Sequence, residues 1–140
     1  MNNQWRFTGN ELKYVKDVID SGEGSGTTGS YNNAFEELFA KTTDAKYAVT
    51  FNSGTSTLHA ALDSLGVSYG DEVIIPPLTV YSNFAVTIAA NAIPIFADVE
   101  KDTFNIDPDD IERKITPKTK AIMPVSLYGL SADFDRIMEI

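Results

Sequence analysis

Residues 51–58 read Phe-Asn-Ser-Gly-Thr-Ser-Thr-Leu, a run of small hydroxyl side chains around a single glycine. It joins an apolar run at 47–51 to a segment with helical spacing at 55–65. The first N–H groups of a helix have no partner within it, and the helix dipole is positive at that end. A glycine lets a ligand approach the backbone closely, and Ser/Thr hydroxyls add donors. Such a turn suits an anion, above all a phosphate. Ser53 or Thr55 acting only as an N-cap is the alternative. The turn matches no standard phosphate-loop pattern, and no G-x-G-x-x-G run follows the first strand, as a dinucleotide binder requires.

Other chemistries are narrowed by what is absent. The 140 residues contain no cysteine, which excludes disulfides, thiolate catalysis and Cys-based metal sites within them. The one histidine, His59, cannot form a His cluster; beside Leu58, Ala61 and Leu62 it is expected to be structural, and no metal site is expected. A formal net charge of −9 argues against nucleic acid and anionic membranes as partners. No apolar run reaches the length of a membrane span. The start, Met1 to Arg6, lacks a signal-peptide layout, so a cytoplasmic protein is expected.

The turn must be positioned by the elements around it. Leu12, Val15 and Ile19 predict an amphipathic helix over 11–20. A Gly-rich loop, 22–30, follows. Asn32 or Asn33 is expected to cap a helix carrying Phe35, Leu38 and Phe39 on one face. Strands are predicted at 47–51, 72–75, 94–97 and 120–125. Between them lie helices at 55–65, with Gly66 closing it, at 82–91 with Phe84 and Ile88, and after Asp107-Pro108, an N-cap followed by proline at the first helical position. Ser131 is expected to cap a last helix with Phe134, Ile137 and Met138.

Alternating strands and helices predict an α/β fold, three-layer αβα, with a mostly parallel sheet. Ligands on such sheets sit beyond the carboxyl ends of the strands. The Ser-Gly-Thr turn, residues 76–81, Asp98 and residues 126–129 all fall there. A sheet that has just received a strand and begun a helix expects another strand, so the chain reads as a fragment.

Several segments, in order, resemble one family. Residues 53–62 (SGTSTLHAAL) are similar to the signature of the DegT/DnrJ/EryC1/StrS sugar aminotransferases, pyridoxal 5'-phosphate (PLP) enzymes of fold type I. The likeness continues through 70–76, 94–99, 104–107, 116–125 and 127–129, with Gly29, Phe35 and Glu36 upstream. It implies the amino-terminal part of the large PLP-binding domain: 1–30 as an amino-terminal helix and Gly-rich loop, 31–140 as the beginning of that domain, truncated at its carboxyl end.

The resemblance also implies function. Family members install an amine, usually drawn from glutamate, on a nucleotide-linked keto-deoxysugar, and they act as homodimers. Carried onto this chain, Thr55 and Ser56 would bind the PLP phosphate and Gly54 would allow its approach. Where the family places a ring that stacks on the pyridine, this chain has Val80, with Tyr81 next; either is a candidate to cover the cofactor. The Gly-rich loop is either a linker or a segment near the substrate opening. The family's Schiff-base lysine and its acidic partner for the pyridine nitrogen have no counterpart in these residues, so the chain is expected to hold no catalytic residue and to be inactive alone. A PLP-dependent sugar dehydratase of the same superfamily, with His in place of that lysine, is one alternative. A non-catalytic phosphate- or PLP-binding fragment, or one that only joins a partner subunit, is the other.

Overall fold

Glu72-Val73-Ile74-Ile75 contains nothing that interrupts a strand, and its three apolar residues are fully buried. In the computed structural model, which describes residues 9–23 and 29–140, this segment is β1 (Glu72–Ile75), the centre of a parallel sheet ordered β2-β1-β3. β2 is Ile93–Phe96 and β3 is Thr119–Ile122. Successive side chains of a strand point to opposite faces. Val73 and Ile75 therefore enter one core, with Leu62, Val67, Val86 and Ala92. Ile74 enters another, with Ala97, Ile106, Ile111, Ala132 and Ile137. The first core is covered by α3 (Gly54–Ser64) and α4 (Ser82–Ala89), the second by α5 (Pro108–Lys114) and α6 (Phe134–Glu139). The three-layer αβα arrangement expected from the sequence is present, and the continuous apolar run of β1 is the mark of a strand buried on both faces.

Register is regular between β1 and β2, from Glu72 opposite Ile93 to Ile75 opposite Phe96. The N–H groups of Ile93 and Ala97 donate to Asp71 and Ile75 across the pair. By alternation Pro94 and Phe96 turn their backbone groups outward. Pro94 has no N–H there, and the Phe96 carbonyl accepts from Lys114 Nζ at 2.6 Å. Toward β3 the register slips by one residue: Glu72 faces Thr119 and Val73 faces Ala121, leaving Lys120 as the extra residue of a bulge.

Contacts divide the chain into two compact units, Met1–Thr50 and Phe51–Ile140. The first holds α1 (Glu11–Ser21) and α2 (Ser30–Thr42), neither of which buries a residue. Leu12, Val15 and Ile19 do share one stripe, as their spacing requires, but they are exposed. Tyr31 bridges the helices: its ring meets that of Tyr14 edge-on, and its hydroxyl donates to Asp17. The expectation for residues 24–28 of the Gly-rich loop lies outside the described residues.

Three expectations are corrected. Residues 47–51 form no strand, because a strand exists through its ladder and no described strand pairs with them. Thr50 instead gives its N–H and hydroxyl to Glu36, at 2.7 and 2.8 Å. Asn32 and Asn33 lie inside α2, whose N-cap is Gly29. Asp133, not Ser131, caps α6, because its carboxylate reaches the Arg136 N–H at 3.0 Å while Ser131 bonds to the Ala132 carbonyl. On α4 the buried residues are Asn83, Val86 and Thr87, and Ile88 is half exposed; α4 sends a polar–apolar mixture inward, which apolar spacing alone does not reveal.

Asp107 and Pro108 begin α5 as expected, the Asp107 carboxylate accepting from the Asp109 N–H at 2.9 Å. Asp110, one turn in, is nearly buried. Its carboxylate accepts from the Asp98 N–H at 2.6 Å and pairs with Arg113 and Lys114 at 3.0 and 3.1 Å. The Asp98 hydrogen bond, joined by those of Lys114 and Arg113, outweighs burial and holds the Asp110 carboxyl below its ordinary value. A depressed folded value means stabilisation that is present above the ordinary value of 3.8 and fades as pH falls through the folded one. Asp110→Asn is therefore expected to lower the urea midpoint at neutral pH, and the gap from the parent should close in acid well below 3.8, as followed by circular dichroism.

Candidate functional site

The start of α3 resolves which residue caps and which remains available. Ser53 is extended (φ −160°, ψ 156°), and its hydroxyl accepts from the Ser56 N–H at 3.2 Å. Ser53, not Thr55, is thus the N-cap. The Ser56 hydroxyl donates to Asn52 Oδ1 at 2.8 Å and lies 3.0 Å from Ser53 Oγ, so it is engaged within the turn. Thr57 directs both its N–H and its hydroxyl to the Ser53 carbonyl. That leaves the N–H groups of Gly54 and Thr55 without a partner among the described residues. They are two adjacent donors at the positive end of the helix.

Among the described residues, nothing requires glycine at 54. Its φ is not in the left-handed region, and a Cβ built there would meet nothing within 4 Å. The side-chain-free surface at the helix start is open space.

The second wall of the site comes from the segment after β1. Pro76 is buried and ends the strand; the chain then runs through Leu78, Thr79, Val80 and Tyr81 into α4. The Thr55 hydroxyl meets the Ser82 hydroxyl at 2.8 Å, tying the start of α3 to the start of α4. The N-cap position of α4 is Tyr81, which makes no capping hydrogen bond. Val80 is 65% exposed and Tyr81 73% exposed. The Tyr81 ring leans on Phe84 (centroids 5.6 Å apart), and Phe84 stacks on Phe96 (6.3 Å, 11°). Tyr81 is thus held toward α4 and β2, and Val80 carries no such contact. Asn83, buried on the first turn of α4, accepts from the Thr79 hydroxyl at 3.3 Å and shapes this loop.

The carboxyl end of the sheet is also where the strand order turns back: β2 lies on one side of β1 and β3 on the other. Such a reversal opens a crevice beyond the strand ends. Beyond β3, Asn105 fixes the loop at 126–131. It is buried, its Nδ2 donates to the carbonyls of Leu130 and Ser131 at 3.1 Å each, and its Oδ1 accepts from the Leu127 N–H at 2.9 Å. Tyr128 sits there at φ 52° with its ring fully exposed. His59 lies on the exposed side of α3, lining an open depression with Ser56, Ala60 and Asp63. Of the residues singled out from sequence, Gly54, Thr55 and Ser56 share one helix start, and Val80 and Tyr81 lie on the loop that Ser82 joins to it. Sequence reasoning missed Ser82 and Asn105. Their partners lie more than twenty positions away and leave no local pattern.

Known proteins share this sequence pattern and this fold. The model of the DegT/DnrJ/EryC1/StrS aminotransferase family matches residues 6–140. A GDP-perosamine synthase of Escherichia coli O157:H7 is 44% identical over 134 residues, which are 96% of this chain and 36% of that protein. The solved aminotransferase of Psychrobacter cryohalolentis superposes with a TM-score of 0.90 at 38% identity, over 95% of this chain and 34% of that one. A solved GDP-4-keto-6-deoxymannose-3-dehydratase is 30% identical, with a TM-score of 0.81, over 91% of this chain and 34% of that one. The chain spans about a third of the length of the curated relatives it matches (36%). It belongs to the DegT/DnrJ/EryC1/StrS aminotransferase family, and its αβα architecture is that of the fold type I PLP-dependent enzymes.

The cap geometry carries its own expectation. Ser53→Ala removes the acceptor for the Ser56 N–H and should cost about 1 kcal/mol of stability, while Ser53→Asp should keep most of it. Denaturant midpoints of the two variants check this.

Proposed function

We propose that this member of the family supplies the cofactor-phosphate cradle of a PLP-dependent aminotransferase acting on a nucleotide-linked keto-deoxysugar. The observation that carries the reading is the pair of N–H groups at Gly54 and Thr55 that have no partner among the described residues, on a helix start where none of those residues requires glycine. In a chain of this family, that arrangement fits a phosphate dianion: two backbone donors, the Thr55 hydroxyl and the helix dipole act together on it. Residues 31–140 then form the first part of the PLP-binding domain.

When bound, PLP supplies an electron sink that stabilises negative charge at the carbon bearing the amine. The chain's own residues hold and orient it. The amides of Gly54 and Thr55 and the Thr55 hydroxyl grip the phosphate; Ser56, through Asn52 and Ser53, keeps the turn in shape and lends its hydroxyl only by giving up one of those bonds. Val80 covers one face of the ring, because the Tyr81 ring is held on Phe84. Apolar cover by Val80 excludes water from that face without the stacking an aromatic residue gives.

The similarity to GDP-perosamine synthases supports a sugar carried on a nucleotide; glutamate as amine donor, a homodimer and a cytoplasmic location are proposed from the family resemblance alone. Among the described residues, no helix is long and apolar enough to cross a membrane. The likeness to a GDP-4-keto-6-deoxymannose-3-dehydratase supports dehydration as the second reading. The lysine that the family uses, or the histidine that replaces it in the dehydratase, has no counterpart in these residues, and the 140-residue chain alone is expected to be inactive.

The test uses the full-length protein with PLP, glutamate and a GDP-linked 4-keto-6-deoxysugar, the product being identified by mass. An amino sugar is the expected result. Loss of the 3-hydroxyl without retained nitrogen would establish the dehydratase instead. Thr55→Ala should weaken PLP binding about tenfold, as expected for one hydrogen bond to a charged group; an unchanged PLP titration would remove the Thr55 hydroxyl from the cradle.

A further inference from the structure

We infer that Ser82 is a positioning residue for the phosphate cradle, acting through its hydroxyl bond to Thr55; the inference rests on the cradle reading above. The two hydroxyls are 2.8 Å apart and join residues 27 positions apart in sequence, on the first turns of two different helices. A hydroxyl has one proton to donate and two lone pairs to accept with. In a pair of hydroxyls one proton is used between them and one remains. If Thr55 donates to Ser82, the Thr55 proton is lost to an anion at the α3 start. If Ser82 donates to Thr55, the Thr55 proton is free to point at that anion. A bound dianion selects the second arrangement, and Ser82 polarises the Thr55 hydroxyl as it does so.

The helix starts give the same direction. The hydroxyl pair sets the first turn of α4 against the first turn of α3. No side chain caps α4, whose N-cap is Tyr81. Two positive helix ends side by side repel each other modestly, and an anion between them relieves that repulsion. Ser82 thus both fixes Thr55 and brings a second helix dipole to the site. A phosphate is bound by α3 directly and by α4 through Ser82.

The experiment measures PLP and pyridoxal binding by the full-length apoprotein, for the parent, Ser82→Ala, Ser82→Thr, Thr55→Ala and the double variant. Pyridoxal lacks the phosphate. Ser82→Ala is expected to weaken PLP three- to tenfold, to leave pyridoxal unchanged, and to be rescued by Ser82→Thr. The double variant should bind PLP no more weakly than Thr55→Ala alone, since Ser82 acts through Thr55. Equal losses for PLP and pyridoxal would make Ser82 a simple helix–helix tie and overturn the inference. So would unchanged PLP binding in Ser82→Ala when Thr55→Ala is impaired. Unchanged PLP binding in both single variants would remove the Thr55 hydroxyl from the cradle and overturn the inference with it. If Ser82→Ala does not fold, Ser82→Cys, close in size but a weak donor, serves with the same expected and overturning results.

Discussion

Everything described in residues 51–140 hangs on β1, four residues long and sealed on both sides. Val73 and Ile75 need one set of helices and Ile74 needs another, and neither need can be met by a single layer. Burying three such side chains stabilises the unit by roughly 1.5–3 kcal/mol each. It also dictates where the chain goes next. A parallel neighbour cannot be reached by a hairpin, so each further strand requires a crossing helix. α4 crosses on the way to β2, α5 on the way to β3. The reversal of direction between them creates the crevice at the carboxyl end. The site is a by-product of solving the burial of one strand twice.

The loops at that end are held by short-range chemistry. Ser53, Asn52 and Ser56 form a closed set of hydroxyl and amide bonds around the α3 start. Asn105 clamps the loop after β3 with three bonds, two given and one received. Among the described residues, no buried side-chain nitrogen or oxygen lacks a hydrogen-bond partner. The two amides left over at Gly54 and Thr55 are exposed backbone groups. They stand out because the polar groups around them are spoken for.

Much of this was legible in the sequence, for physical reasons that can be named. Glu72 to Ile75 reads as a buried strand because strand length and apolar continuity coincide. Asp107-Pro108 reads as a helix start because proline fits the first helical position and aspartate accepts the first amides. The Ser-Gly-Thr turn was readable as the start of a helix, though not whether Ser53 or Thr55 caps it. That choice depends on whether a side chain sits at an extended φ/ψ, which composition does not encode. Residues 47–51 show the opposite limit. Their apolar run predicts a strand, but pairing is a property of two segments, and no described strand pairs with them. Ser82 and Asn105 were invisible for the same reason: each matters through a partner distant in sequence.

The two flanks of the sheet are not equivalent. The outer side of β2 lacks an N–H at Pro94, and its Phe96 carbonyl is occupied by Lys114. An incoming backbone finds an incomplete ladder there. β3 carries neither proline nor a lysine clamp on its outer backbone. The sheet is therefore a one-sided template. A strand added to this sheet meets fewer obstacles at β3 than at β2.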